Sequence, residues 1–358
     1  MNLTLTELLH QLQNATSITD VFGPLPTLGE HALKQRYRTL AAIAHPDRNL
    51  GQRTTADEAF KLLQQWHTLA QRQLSGAADQ ATPHIDITTR LHHYVGTEAP
   101  LDGDLCDLFP ATVEGSAVLL KSVRDARNND LLQTEAQTLR RISRSLADQP
   151  LRAHFPTLIE HVLLPDAAGQ ARQINVLQTA TGFVSLAAVL RTYPNGIDAA
   201  DAAWMFNRIL AALGVVHSLG IVHGALTPDH VLICPADHNG MLIDWCYSVP
   251  IGEPIKAVSL AYMNHYPPEV QAQQPATAAT DLYMAAQCLV RLLGGKPNNT
   301  AANPVLPDRV PKPIRTLLRA CLLPAQTRRA GDAWELFDDF NAALQRCYGA
   351  PKFRPFTL

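Results

Sequence analysis

The stretch that decides how most of the chain is read is VVHSLGIVHGALTPDHVL, residues 215–232. Ile209, Leu213 and Val216 recur at i, i+4 and i+7 and predict a helix, which His217-Ser218-Leu219-Gly220 ends. A short strand Ile221–Val222 follows, then a loop and a second short strand Val231–Cys234. A hairpin turn at Asp237–Gly240 leads into Met241-Leu242-Ile243-Asp244-Trp245-Cys246. His223, His230, Cys234, Asp237, His238, Asp244 and Cys246 fall within 24 residues (223 to 246 inclusive), which raises the question of a metal site. No regular zinc spacing is present among them. Upstream, Ala117–Lys121 and Ile174–Thr179 are short apolar runs of strand type. Downstream, helical periodicity covers 200–219, 281–293, 311–323 and 331–347. Strands first and helices later predict an α+β body.

This order of elements resembles the catalytic and metal-binding loops of protein kinases. His223 matches the His of H-R-D, Leu226 and Pro228 the Leu and Pro after it, and Asp244 the Asp of D-F-G. Lys121 resembles the strand lysine of V-A-I-K, and Glu135 in LLQTEAQTLRRI its helix partner. Pro267-Pro268-Glu269 resembles A-P-E; Asp281 matches the Asp opening the large helix, and Arg328 the Arg that pairs with the A-P-E Glu. The resemblance spans about residues 90–346 and implies a two-lobed fold, β-rich first and helical second. It also implies that Glu269 and Arg328 form a buried ion pair.

The departures concern chemistry. Phosphoryl transfer needs positioned metal, cradled phosphates and a residue orienting the hydroxyl nucleophile. Ala225 stands where the family has its catalytic Asp, Thr227 where it has Lys, and His230 where it has the metal-binding Asn. The best candidate for a Gly-rich loop, Asp102 to Ala111, has one glycine where three are needed, and Asp102, Asp104 and Asp107 would repel a triphosphate. D-F-G has become Asp244-Trp245-Cys246. The resemblance is therefore to a pseudokinase, with His223, Ala225 and His230 as a degenerate loop and no catalytic residue expected. Lys121, Glu135 and Asp244 are the candidate nucleotide contacts, and Asp244 and His230 the candidate metal ligands. No cofactor is required; weak binding of ATP with Mg or Mn is the residual capacity. The plain alternative is that Lys121 and Glu135 form a structural ion pair and Asp244 is a satisfied loop carboxylate.

The first 74 residues read differently. Leu5, Leu8, Leu9 and Leu12 mark a short amphipathic helix. Leu33, Tyr37, Leu40, Ala41 and Ala44 mark a second, and Ala59, Leu62, Leu63, Trp66, Leu69 and Ala70 a third. Between the last two lies His45-Pro46-Asp47-Arg48-Asn49, and Lys34 and Arg38 at i and i+4 form a basic stripe leading to it. The combination resembles a J-domain over about residues 17–74, including Asp20-Val21-Phe22-Gly23, where the family's first helix ends. That resemblance implies a DnaK-type chaperone as partner. His45, Pro46 and Asp47 match the triad that triggers its ATP hydrolysis, and Lys34, Arg36 and Arg38 the docking helix. Complementary charge steers the encounter, and a stiff loop sets register. No Gly/Phe-rich region or zinc ribbon follows residue 74, so a specialised co-chaperone is expected rather than a general binder of unfolded chains.

Composition agrees with a folded chain of about two domains: 358 residues, 46 % hydrophobic and 17 % charged. A net charge of −2 gives no global positive field, so no nucleic-acid partner is expected. The six cysteines form no C-x-x-C pair, which fits a reducing cytosol. The N-terminus has no cationic leader, and the apolar stretch near 203–222 is interrupted by Asn207, Arg208 and His217, so a membrane partner is disfavoured and a cytoplasmic location expected. The expected layout is a J-domain with an extra N-terminal helix at 1–74, a linker at 75–89, a kinase-like domain at 90–348 and a tail at 349–358 that Phe353 and Phe356 dock. The function expected is a J-domain adaptor whose kinase-like domain serves as a client-binding or nucleotide-sensing platform, its client or regulator unspecified. The alternative is an active or atypical serine/threonine kinase localised by its J-domain.

Overall fold

The computed structural model describes residues 3–15, 17–24, 29–45, 48–49, 52–75, 85–96, 98–166, 169–297 and 304–350. The chain divides into two units, Met1–Thr82 with Leu260–Asn264, and Pro83–Ser259 with His265–Leu358. The protein is thus a mixed helix-and-sheet, α+β chain of more than one domain.

The first unit contains α1 (Leu5–Asn14), α2 (Ile18–Phe22), α3 (Glu30–Ala44) and α4 (Arg53–Ser75). Both short helices start on reciprocal capping boxes, Thr4 with Glu7 and Ser17 with Asp20, which satisfy two otherwise orphaned backbone donors each. Leu5, Leu8 and Leu12 of α1 pack with Val21 and Phe22 of α2, Leu33 and Ala44 of α3, and Ala56, Leu63 and Trp66 of α4. The indole N–H of Trp66 donates to the Leu12 carbonyl at 3.3 Å. Tyr37 stacks on His67 with ring centroids 4.0 Å apart, and burial lowers the His67 pKa.

The second unit begins with β1 (Ile85–Thr88), β2 (His93–Gly96), β3 (Leu101–Asp102), β4 (Cys106–Val113) and β5 (Ser116–Val123). Next come α5 (Asn129–Ser145), β6 (Leu158–Pro165) and β7 (Ala171–Gln178). These strands form one antiparallel sheet in the order β1-β2-β4-β5-β7-β6, with β3 paired to β4. β1 lies within the span expected as linker, 75–89. Its Ile85-Asp86-Ile87-Thr88 alternation pairs with β2, Ile85 opposite Gly96 and Thr88 opposite His93, and the small polar residues just before it hid that short pattern. The expected docking of Phe353 and Phe356, like residues 76–84 of the expected linker, lies outside the described residues. α5 turns Leu132, Ala136, Leu139 and Ile142 inward at helical spacing.

The helical half follows: β8 (Val184–Ser185), α6 (Leu186–Thr192), α7 (Ala199–Ser218), β9 (Ile221–Val222), β10 (Val231–Ile233), β11 (Gly240–Leu242), β12 (Val249–Pro250), α8 (Pro268–Gln271), α9 (Ala278–Leu292), α10 (Lys312–Cys321) and α11 (Ala333–Tyr348). β10 pairs with β11 and β8, and β9 with β12, so the loops between these short strands are fixed at both ends. α7 is long and apolar enough to span a bilayer by length and composition, yet 78 % of its apolar window is buried inside the fold. It is the central helix of the large core, with Phe206 edge-on to Phe340 of α11. Gly214 on α7 meets the Trp334 ring so closely that a Cβ would stand 2.4 Å from it, which requires glycine there.

Candidate functional site

Two groups of candidate residues sit in the two units. In the first unit, Lys34 and Arg38 are exposed on α3. Arg36 has a structural role as well: its guanidinium donates to the Phe22 carbonyl at 2.5 Å and so satisfies the end of α2. His45 caps the C-terminus of α3, its ring edge-on to Phe60 at 5.6 Å. Asn49 donates to the carbonyls of Ile43 and His45 at 2.8 and 3.0 Å, and Arg48 N–H to that of His45 at 3.0 Å, so the described ends of the loop are tied to the helix. Pro46 and Asp47 lie outside the described residues. Asn49 is a clamp whose role no spacing in the sequence announces.

In the second unit Lys121, Glu135 and Asp244 converge on a cleft of about 730 Å³ beneath the sheet. β5 carries Lys121, which is 3 % exposed. Its ammonium lies 2.9 Å from Glu135 Oε1 of α5 and 2.5 Å from Asp244 Oδ1. The β5–β7 register sets Asn175 opposite Lys121. The Asn175 amide donates to Glu135 Oε2 at 2.8 Å and to the Leu132 carbonyl at 3.0 Å, completing the carboxylate's shell. Asp244 occupies a left-handed backbone position at φ 67°, which aspartate tolerates better than most residues. The Cys246 thiol donates to its Oδ1 at 2.7 Å, and His230 Nε2 faces its Oδ2 at 3.3 Å.

Burial penalises every charge in this cluster, and the partners decide the outcome. For Asp244 burial opposes ionisation, but Lys121 and then His230 outweigh it and hold the carboxyl well below its usual range. For Lys121 burial disfavours the ammonium, yet Asp244 foremost among its neighbours raises the pKa well above the ordinary value. The Cys246 thiol is pushed up by burial and by Asp244.

The loop from 223 to 230 is anchored from below. Asp281, fully buried in the first turn of α9, accepts the backbone N–H groups of His223 at 2.7 Å and Gly224 at 3.0 Å, and lies 3.0 Å from His217 Nε2. Gly224 has φ 82°, and a Cβ there would stand 2.7 Å from the Tyr247 carbonyl, so the loop requires glycine where the kinase pattern has arginine. His223 donates from Nε2 to the Ile243 carbonyl at 2.9 Å and accepts the Ala225 N–H on Nδ1 at 3.2 Å, the pattern of a neutral ring. Burial lowers its pKa to about 4. Ala225 is 0 % exposed and packs with Leu131, Cys246 and Tyr247. Asp229 is exposed and does not line the cleft. Among the described residues no three His, Cys, Asp or Glu side chains gather as metal ligands; His230 and Asp244 are brought together as a pair.

Two expectations change. The segment proposed as a phosphate loop is mostly strand: Cys106 to Ala111 belong to β4, leaving Gly103-Asp104-Leu105 as the turn. That turn is fastened. Tyr247 donates its hydroxyl to Asp104 Oδ2 at 2.6 Å. Arg124 donates to the carbonyls of Gly103 at 2.8 Å and Asp104 at 2.9 Å while pairing with Asp107 at 2.6 Å. The second change concerns the ion pair. Arg329, not Arg328, binds Glu269, through Nη1–Oε1 at 2.5 Å and Nη2–Oε2 at 2.9 Å. Arg328 is exposed. A helical turn at Gln326–Arg328 orients the chain so that the next residue points inward.

The neutral histidines predict acid sensitivity. His223 and His265 are both fully enclosed, and burial lowers their pKa values from 6.5 to about 4 and about 3. Between those values and 6.5 the unfolded chain binds more protons than the folded one, so stability falls as the pH drops. By pH 5 each is expected to have cost about 2 kcal/mol. Protonation of Asp244 acts in the same direction at lower pH. Calorimetric melting at pH 7 and pH 5 checks this: the transition should fall by several degrees, and His265→Asn should flatten the dependence. A melting temperature that is the same at both values rejects it.

No protein-family model matches the chain, and no curated protein matches it either.

Proposed function

We propose that this protein is a J-domain co-chaperone or adaptor that recruits and stimulates a DnaK-type chaperone, and that its kinase-like unit is a non-catalytic binding platform. Support for the first part is the exposed pair Lys34 and Arg38 on α3, leading to a loop whose described ends are pinned to that helix. An exposed, basic, stiffened surface is what steered encounter with an acidic partner requires.

Support for the second part is the burial of Ala225, the observation that carries this reading. The position at which a kinase keeps its proton acceptor holds a methyl group packed against Leu131, Cys246 and Tyr247. A positioned base contributes about 10²–10⁴-fold in general, and this position has none. The residues also fit ATP with a divalent ion poorly. The Lys121 ammonium is shared between two carboxylates, and Asp244 Oδ1 already takes Lys121 and the Cys246 thiol, while His230, its Nδ1 hydrogen-bonded to the Ala225 carbonyl at 2.8 Å, stands with Nε2 3.3 Å from Oδ2. A metal at Oδ1 would have to displace Lys121 or the Cys246 thiol.

The Lys121–Glu135 contact of 2.9 Å favours the second reading, an active or atypical kinase, because that pair must form in an active one. Incubation of the full chain with radiolabelled ATP and Mg²⁺ or Mn²⁺ separates the two. No label should reach the protein or an added substrate, and Ala225→Asp with His230→Asn should not restore transfer, since it buries a carboxylate among apolar groups. Label transfer by the wild type that Asp244→Ala abolishes would establish the kinase.

A further inference from the structure

Between β3 and β4 the chain turns through Gly103-Asp104-Leu105, with Asp102 and Asp107 opposite each other at the base of the hairpin. The turn is fastened from outside the hairpin. The Tyr247 hydroxyl donates to Asp104 Oδ2. The Arg124 guanidinium donates to the carbonyls of Gly103 and Asp104, and the Arg124 backbone N–H to that of Leu105 at 3.3 Å. Leu105 is half-buried and packs against two apolar clusters, one of Leu131, Ala225, Cys246 and Tyr247, the other of Cys106, Val123 and Leu132. Residues 223–228 and 230 are all buried. Gly103, Asp104, Lys121 and Asp244 line the cleft, but among the described residues that line it none comes from 223–230. The loop that matches a kinase catalytic loop is thus shut off from the cleft that its counterpart serves. Phosphoryl transfer needs an acceptor hydroxyl oriented at that loop and in line with the phosphoryl donor.

We propose that the turn Gly103–Leu105 is a built-in plug: Leu105 closes the way to residue 225, and Tyr247 and Arg124 hold it in place. A hairpin tip without such bonds belongs to the parts of a fold that open most easily. Here the carboxylate of Asp104 and the carbonyls of all three turn residues have donors from elsewhere in the chain. Apolar packing gives Leu105 its seat, and the hydrogen bonds keep the tip from swinging out of it. The plug rests on reading 223–230 as the counterpart of a catalytic loop. It is a second block, separate from the absence of a base at Ala225, because it acts on access rather than on chemistry.

Maleimide labelling of the full chain, read by mass spectrometry at each cysteine, tests the plug. Cys106 and Cys246 are buried in the two clusters that Leu105 packs against. Cys288 and Cys321 are buried in the large core and report on general loosening. In the wild type all four should label slowly. Tyr247→Phe, which removes the hydroxyl and keeps the ring, and Arg124→Met should each speed labelling of Cys106 and Cys246 by about 10-fold, the effect of one lost hydrogen bond, and leave Cys288 and Cys321 unchanged. Leu105→Ala should do the same by emptying the seat while its backbone bonds persist. If none of the three variants changes the rates at Cys106 and Cys246, the plug is refuted. Equal rises at all four cysteines refute it too, since the whole unit then loosens together. Incubated with radiolabelled ATP and Mg²⁺, the released variants should transfer nothing, because Ala225 still supplies no base. Label transfer by a variant whose Cys106 and Cys246 have become reactive keeps the plug and ends the non-catalytic reading.

Discussion

Replacing Glu269 with Gln, or Arg329 with Met, is expected to destabilise the second unit by about 3–5 kcal/mol, the cost of stranding one partner of a buried pair. Glu269 and Arg329 have side chains 3 % and 0 % exposed. The guanidinium engages the carboxylate with both terminal nitrogens and reaches the carbonyls of Leu323 and Pro324 at 2.5 and 2.8 Å. Thr280 donates to the same carboxylate at 3.1 Å, and the guanidinium carbon lies 4.7 Å from the centre of the Tyr283 ring. The pair therefore joins α8, α9 and the segment before α11 through one planar contact. Arg329→Lys should lose most of this, because an ammonium cannot reproduce the fork. Arg328→Met should stay within about 0.5 kcal/mol of wild type, as expected for an exposed side chain. Urea unfolding of the four variants decides between the two arginines. A large loss from Arg328→Met with none from Arg329→Met would reverse the assignment.

Lys121→Met is expected to be comparably severe. A lysine that serves to hold phosphate can be removed with little cost to the fold, whereas Lys121 is the positive charge between two buried carboxylates. Its loss leaves Glu135 at 1 % side-chain exposure and Asp244 at 16 % facing each other across the gap. Removing one partner of such a network costs about 3–5 kcal/mol. Neutralising the whole set, Lys121→Met with Glu135→Gln and Asp244→Asn, should recover much of that, because no unpaired charge then remains. Thermal melting of the single and triple variants checks this. A Lys121→Met protein that melts with wild type would mean that the cluster contributes nothing to stability.

What could be read from the sequence follows from periodicity. α7, α9, α10 and α11 repeat their apolar residues at helical spacing, and their ends fall within a few residues of the expected ones. β5 and β7 were visible as short apolar runs, but their register was not, because a pattern of period two does not say which residues stand opposite. The register is what brings Asn175 beside Lys121 and Glu135. The choice between Arg328 and Arg329 was equally invisible: two adjacent arginines in a loop without periodicity give spacing no means of telling which turns inward. Arg124 and Tyr247 were missed because their meaning lies in the turn they fasten, and Tyr247 lies 143 residues from Asp104 along the chain. Lys121, Glu135 and Asp244 could be picked out individually by their place in a known pattern. A Lys121–Glu135 ion pair was one of the readings open from the sequence; that Asp244 shares the same ammonium emerged only from distances.

We propose that the first unit drives a DnaK-type chaperone. The most direct measurement is single-turnover ATP hydrolysis by such a chaperone from the same host, with the full-length protein added. The wild type should accelerate hydrolysis, Asp47→Asn should abolish the acceleration while the fold is retained, and Arg38→Glu should weaken it most at low salt, where steering is least screened. No acceleration by the wild type, or acceleration that survives Asp47→Asn unchanged, would contradict the account.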